Sequence, residues 1–257
     1  MRVEKVSGRV LSGPLEPVYV YEAPVRLWHW VMTLAMMVLA ATGYLIASPP
    51  PAIGGEAVHS YFFAWIRTIH FIAAWVFAVF FAVRVYWAFA GNHHARSIFA
   101  PPVFSGAWWR GLFRQLAYYM FLKRESDLWI GHNPLAQIAM FLMYTLGALF
   151  MIATGFALYS EQWGWGTLPM QLFGWVFGLF GDPQMVRTLH HLGMWYLLLF
   201  ALIHVYMVFR EDIMSGESVI GTMINGIRLF KREPPAADVA DRRAGADVDR
   251  LSMRRRA

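Results

Sequence analysis

The stretch from Asp182 to Arg210, DPQMVRTLHHLGMWYLLLFALIHVYMVFR, constrains the chain most, because it stays apolar for long enough to cross a bilayer and yet carries three imidazoles. Asp182 can cap a helix and Pro183 suits its first position. From His190 to His204 is 14 residues, which on an α-helix is a rise of about 21 Å and a rotation that returns to within about 40° of the start. His191 points roughly 140° away from His204 on the same helix. One face of this span therefore presents His190 and His204 at two depths, and polar groups placed so inside a span usually serve a site.

Three other segments are long and apolar enough to span: about Leu27 to Ala47, Phe62 to Phe89 and Pro134 to Tyr159. With 58% apolar and 15% charged residues the chain is expected to be an integral membrane protein. The first 26 residues scatter charges among Pro and Gly and hold no short apolar core, so the first span is expected to act as the insertion signal and to stay in the membrane. Placing both termini, the loop between spans two and three, and Arg84 near the end of span two on one side collects 20 of the 22 Lys and Arg, leaving only Arg67 and Arg187 opposite. The positive-inside rule then makes both termini cytoplasmic. The net charge of +6 is used by those inner segments, and no nucleic-acid partner is expected. Cysteine is absent, so the chain holds no iron–sulfur cluster or covalently attached haem of its own.

Taken in order, residues 1–21 read as a flexible lead. Tyr21-Glu-Ala-Pro-Val-Arg-Leu-Trp-His-Trp30 enters the first span, where His29 is either a boundary residue of the aromatic belt or a ligand at the depth of His204. His59 reads as a solvated loop residue. Span two opens with Arg67-Thr-Ile-His70, which repeats the Arg187-Thr-Leu-His190 of span four at the same, outer depth. The histidines read as two ligands of one site. The arginines are either partners for carboxylates of the bound group or residues that snorkel to headgroups. Arg84, 14 residues beyond His70, returns to its face at the depth of His29 and His204, as a further carboxylate partner or a positive-inside anchor.

The loop after span two carries the adjacent His93 and His94, an interfacial pair with too few neighbours for a metal site. Its stretch Pro101–Lys123 interleaves Trp108, Trp109, Phe113 and Leu116 with Arg110 and Arg114, as an interfacial helix does. Span three holds Asn133 and Gln137 near its start, candidate hydrogen-bond partners for a quinone that capping and packing explain nearly as well. Gly147 and Gly155 permit close helix approach. The loop 160–181 is too apolar to stand free and suggests a contact surface on the outer face. Past Arg210 one more interfacial helix is expected, and residues 231–257, rich in Pro, Ala, Asp and Arg, are expected to be disordered.

Pairing histidines by depth gives His70 with His190 on the outer side and His29 with His204 on the inner side. Double imidazole ligation fills both axial positions of a haem, which suits electron transfer and not oxygen activation. Five stretches then carry a resemblance: Tyr19 to Trp30, Gly91-Asn-His-His94, Gly131-His-Asn-Pro-Leu-Ala136, His190-His-Leu-Gly-Met-Trp195, and His204-Val-Tyr through Arg210-Glu-Asp-Ile-Met214. Over residues 19–230 the chain resembles the b-type cytochrome subunit of membrane-bound nickel-iron uptake hydrogenases, related to the membrane subunit of respiratory formate dehydrogenases. The resemblance implies two non-covalent haems b, with iron ligands carried here to His29, His70, His190 and His204. It also implies hydrogenase small and large subunits on the periplasmic face, a membrane quinone as acceptor near the cytoplasmic haem, and residence in the bacterial inner membrane. Such a chain is an electron-transfer subunit without a hydrogen-activating site. The expected fold is an all-α integral membrane protein, a four-helix transmembrane bundle with interfacial helices, its di-haem domain covering residues 22–230. Two other readings stand beside this one: a cytochrome of the same architecture serving another donor such as formate dehydrogenase, and a transporter whose histidines bind a metal ion or relay protons.

Overall fold

The computed structural model describes residues 16–51, 61–124, 126–127 and 129–230. Expectations for residues 1–15, His59 and the tail 231–257 lie outside the described residues. Ten α-helices are described: α1 (Ala23–Ala47), α2 (Phe62–Ala90), α3 (His93–Arg96), α4 (Gly106–Tyr119), α5 (Pro134–Ala139), α6 (Leu146–Glu161), α7 (Leu168–Phe173), α8 (Trp175–Phe180), α9 (Pro183–Ser215) and α10 (Val219–Asn225). A π-helical turn, Met140–Thr145, joins α5 to α6 so that residues 134–161 form one long helix. Four helices, α1, α2, α5–π–α6 and α9, are long and apolar enough to cross a membrane. The fold is an all-α membrane bundle, as expected. The caps read from sequence are in place: Met185 N–H donates to Asp182 Oδ1 at 2.8 Å and Ala136 N–H to Asn133 Oδ1 at 2.8 Å.

The chain divides into two compact units. One, residues 27–87 and 138–204, contains most of the four spans. Their exteriors are apolar, with Leu34, Ile72, Val79 and Leu202 more than half exposed, as a lipid-facing surface requires. Inside, aromatic edges join helices: Tyr44 of α1 to Trp195 of α9, and Phe71 and Trp75 of α2 to Tyr159 and Phe156 of α6. α6 and α9 approach through small residues, since a Cβ on Gly147 would meet Leu197 at 3.0 Å and one on Gly193 would meet Met151 at 2.5 Å. The apolar stretch 160–181 is not a free loop. It folds into α7 and α8, whose Met170, Val176 and Phe177 pack with Ala157 and Val186.

The other unit comprises the chain ends and residues 88–137. The flexible lead anticipated through residue 21 needs correction, because Glu16–Tyr19 forms strand β1. It pairs antiparallel with β2 (Ile227–Phe230), Glu16 opposite Phe230 and Tyr19 opposite Ile227. The period-2 pattern of so short an edge is too weak to read without its partner. The segment beyond Arg210 likewise differs from the single helix expected: α9 runs on to Ser215, and α10 and β2 follow. α4 forms where the amphipathic helix was placed and buries Trp108, Leu112, Gln115 and Tyr118. Gln115 Oε1 accepts from Ser126 Oγ and Trp129 Nε1 at 3.0 and 3.1 Å, and Arg228 forms a 3.1 Å ion pair with Glu217, both side chains nearly covered. Several stretches that carry the resemblance meet here. Glu22 accepts from the Asn92 N–H, Asn92 Nδ2 donates to Val20 O, and Tyr21 bonds His132 at 3.0 Å. Gly131 sits at φ +77°, where its missing Cβ lets the His94 ring approach.

Candidate functional site

The four histidines singled out by depth lie in the unit of the spans, and the structure brings each to a defined partner. His70 is on α2. Its Nδ1 lies 2.9 Å from the hydroxyl of Thr42 on α1. His190 is on α9, and its Nδ1 lies 2.8 Å from the hydroxyl of Thr154 on α6. Each threonine is followed by a glycine against the imidazole: a Cβ on Gly43 would stand 3.4 Å from His70 Cε1, and one on Gly155 3.2 Å from His190 Cε1.

The hydrogen bonds fix a proton. A threonine hydroxyl has one hydrogen, and in both cases it is directed to the carbonyl one turn back, Thr42 to Val38 O and Thr154 to Phe150 O, each at 2.7 Å. The hydroxyl oxygen is left to accept, so Nδ1 of each histidine carries the proton and Nε2 keeps a bare lone pair. That is the form in which imidazole binds a metal.

His29 of α1 and His204 of α9 face each other with ring centroids 6.4 Å apart and planes at 48°. Two metal–nitrogen bonds of about 2 Å each, with roughly half a ring added at either end, span about 6 Å. The separation suits one iron held between two imidazoles. Phe200 stacks on His204 at 5.7 Å, Tyr144 of the π turn lies 5.7 Å from Phe200 and 5.8 Å from Trp28, and the Arg84 guanidinium sits 5.1 Å over the Trp28 ring. Arg84 is only 3% exposed. Trp28 Nε1 and Tyr144 Oη are buried without a hydrogen-bond partner among the described residues. Buried polar atoms are nearly always satisfied, so this pocket fits a group bearing its own acceptors, as the carboxylates of haem are.

Other candidates have different partners. His191 faces away from Thr154 and accepts from its own-helix neighbour Trp195 Nε1 at 3.1 Å, which separates it from His190. Arg187 is ion-paired with Glu161, while Arg67 is exposed. In the other unit, both ends of the Asn133 and Gln137 amides are engaged. Asn133 Nδ2 donates to Tyr119 Oη at 3.1 Å, Gln137 Oε1 accepts from Trp108 Nε1 at 2.7 Å, and Gln137 Nε2 donates to His132 O at 3.1 Å. Burial, and then the Glu211 carboxylate, push the Tyr119 phenol up, so it stays protonated beside Asn133. These bonds give both amides the capping and packing roles.

Sequence reasoning missed Thr42 and Thr154. The signal is a second internal repeat, Ala41-Thr-Gly-Tyr44 and Ala153-Thr-Gly-Phe156, which places the same grip on α1 and α6 as Arg-Thr-apolar-His places on α2 and α9.

Residues 20–226 match the family described as prokaryotic cytochrome b561. Among similar proteins is a probable Ni/Fe-hydrogenase B-type cytochrome subunit of Azotobacter chroococcum mcd 1, 54% identical over 85% of this chain and 91% of its own. The protein so described in Rhodobacter capsulatus is 51% identical over 83% and 82%. The probable Ni/Fe-hydrogenase 1 B-type cytochrome subunit of Escherichia coli K12 is 46% identical over 83% and 91%. With most of its length inside that match, and with partly buried histidines on three of its spans, the chain belongs to the prokaryotic cytochrome b561 family.

Proposed function

We propose that the chain is the di-haem cytochrome b subunit of a membrane-bound nickel-iron hydrogenase, carrying electrons from hydrogen oxidation across the inner membrane to quinone. The observation that carries this reading is the facing of His29 and His204 at 6.4 Å, beside a second pair, His70 and His190, each fixed by a threonine. His70 and His190 hold the outer haem b and His29 and His204 the inner one. The bound haems supply one-electron transfer between ferric and ferrous iron. With imidazoles as both of its protein ligands, each iron would be closed to external ligands and suited to electron transfer alone. Arg84, buried beside the inner pair, neutralises a propionate there. Arg187, committed to Glu161, is less suited to that task. The relatives' names support a hydrogenase partner, and the apolar α7–α8 surface, with Trp165, Leu168 and Leu179 largely exposed, offers it a docking face. Both termini lie in the cytoplasm, since they and the loop between spans two and three carry 19 of the 22 Lys and Arg.

The test is haem content and redox spectrum of the purified complex. Two haems b per chain, reduced by hydrogen and reoxidised by quinone, are expected, together with co-purified hydrogenase subunits. His204→Ala should leave one haem. Absence of a b-type band would mean a transporter, and a formate dehydrogenase as the co-purified protein would change the donor.

A further inference from the structure

The two histidine pairs are built differently. At the His70/His190 pair both imidazoles give their Nδ1–H to a threonine oxygen, at 2.9 and 2.8 Å, and Thr42 and Thr154 are buried at 6% and 0% exposure. At the His29/His204 pair neither ring has a hydrogen-bond partner among the described residues, and His29 Nδ1 is buried bare. An acceptor on Nδ1–H draws the proton away from the ring and makes Nε2 a stronger donor to metal. Stronger donation favours the more highly charged iron, and hydrogen bonding around the axial ligands is one of the means by which a protein sets a haem's potential.

We infer that Thr42 and Thr154 are positioning residues that hold His70 and His190 in the Nε2-open form and set their haem at a lower potential than the haem of His29 and His204. The inference rests on the di-haem reading and adds a direction to it. An electron entering at the outer pair runs downhill to the inner one. Each threonine acts through the histidine it touches, and its backbone bond makes it an acceptor: without the 2.7 Å bonds to Val38 O and Phe150 O the hydroxyl could turn and donate, giving the opposite tautomer.

The experiment is an equilibrium redox titration of the purified full-length complex, followed at the haem α band, for the native chain and for Thr42→Val, Thr154→Val, Thr42→Ser and Thr154→Ser. Valine keeps the shape and removes the oxygen, and serine keeps the oxygen. The native complex should titrate as two components, and His204→Ala, which removes the inner haem, should leave the lower one. In each valine variant the lower component should move to more positive potential while the upper stays, and in the serine variants both should stay. Loss of the outer haem alone in a valine variant, with full retention in the matching serine variant, also supports the inference. Two haems with unmoved potentials in the valine variants would overturn it. So would serine variants that behave as valine does, loss of both haems together, or a lower component that belongs to the inner pair. A native chain with fewer than two haems would overturn the di-haem reading itself, which separates the two failures.

Discussion

At the residue scale the site depends on how much room each imidazole has. Gly155 and Gly43 play the same part, but not with the same tolerance. A methyl group at Gly155 would press on His190 Cε1 at 3.2 Å, a distance at which the neighbour must give, while one at Gly43 would reach His70 at an ordinary 3.4 Å. His190 has little freedom to yield, being tied to Thr154, which is itself wholly buried. Gly155→Ala is therefore expected to destabilise by about 1–3 kcal/mol, the usual range for overpacking, and to lower the haem-to-protein ratio, whereas Gly43→Ala should leave it near the native value. Pyridine haemochrome assay of the two variants compares them directly. The facing of His29 and His204 was legible in the sequence because imidazoles are rare in spans and helical geometry converts spacing into facing. The hydroxyl partners of His70 and His190 were not, since a lone Thr in an apolar run reads equally well as a residue bonded to its own helix. Here it is bonded both ways. The hydrogen bond of Gln137 was equally hidden: Asn133 caps a helix, and Gln137 holds Trp108.

At the element scale the π turn at Met140–Thr145 is the feature no periodicity predicts, because one widened turn changes phase without changing composition. It carries Tyr144 between Trp28 and Phe200. A π turn holds one residue more than the α path between the same ends, so deleting Leu142 should restore a regular helix and keep Thr154 in register with His190. Deleting Leu149 from the regular α6 should instead rotate Thr154 by about 100° and release that histidine. On the di-haem reading, optical and paramagnetic spectra that resolve the two centres check this. The first variant should perturb only the signal of the His29/His204 pair, and the second should abolish the other. The span boundaries, by contrast, followed from hydropathy and from the Asp182-Pro183 and Asn133-Pro134 starts, whose capping bonds both formed.

At the scale of the whole molecule the spans were readable and the unit built from the chain ends was not. Its β1–β2 pair joins residues more than two hundred positions apart in sequence, and its central ion pair, Arg228 with Glu217, looks in the sequence like two solvated charges. Both side chains are nearly covered, at 9% and 11% exposure, and Arg228 also donates to Trp129 O at 3.0 Å. Removing one partner leaves a buried charge, a loss of about 3–5 kcal/mol. Arg228→Met should therefore lower the thermal midpoint of the detergent-purified protein markedly, and Arg228→Met with Glu217→Leu should recover much of the loss. Haem spectra should follow the unfolding curve in neither case before its onset.

The twin Thr-Gly and Arg-Thr-apolar-His runs have a historical consequence. Both histidine pairs draw one ring from each half of the chain, but His70 and His190 are held by matching runs, Thr-Gly and Arg-Thr-apolar-His, whereas no such repeat surrounds His29 and His204. A gene half as long, once doubled, would already encode the threonine-held grip, and the His29/His204 pair would then be the later addition.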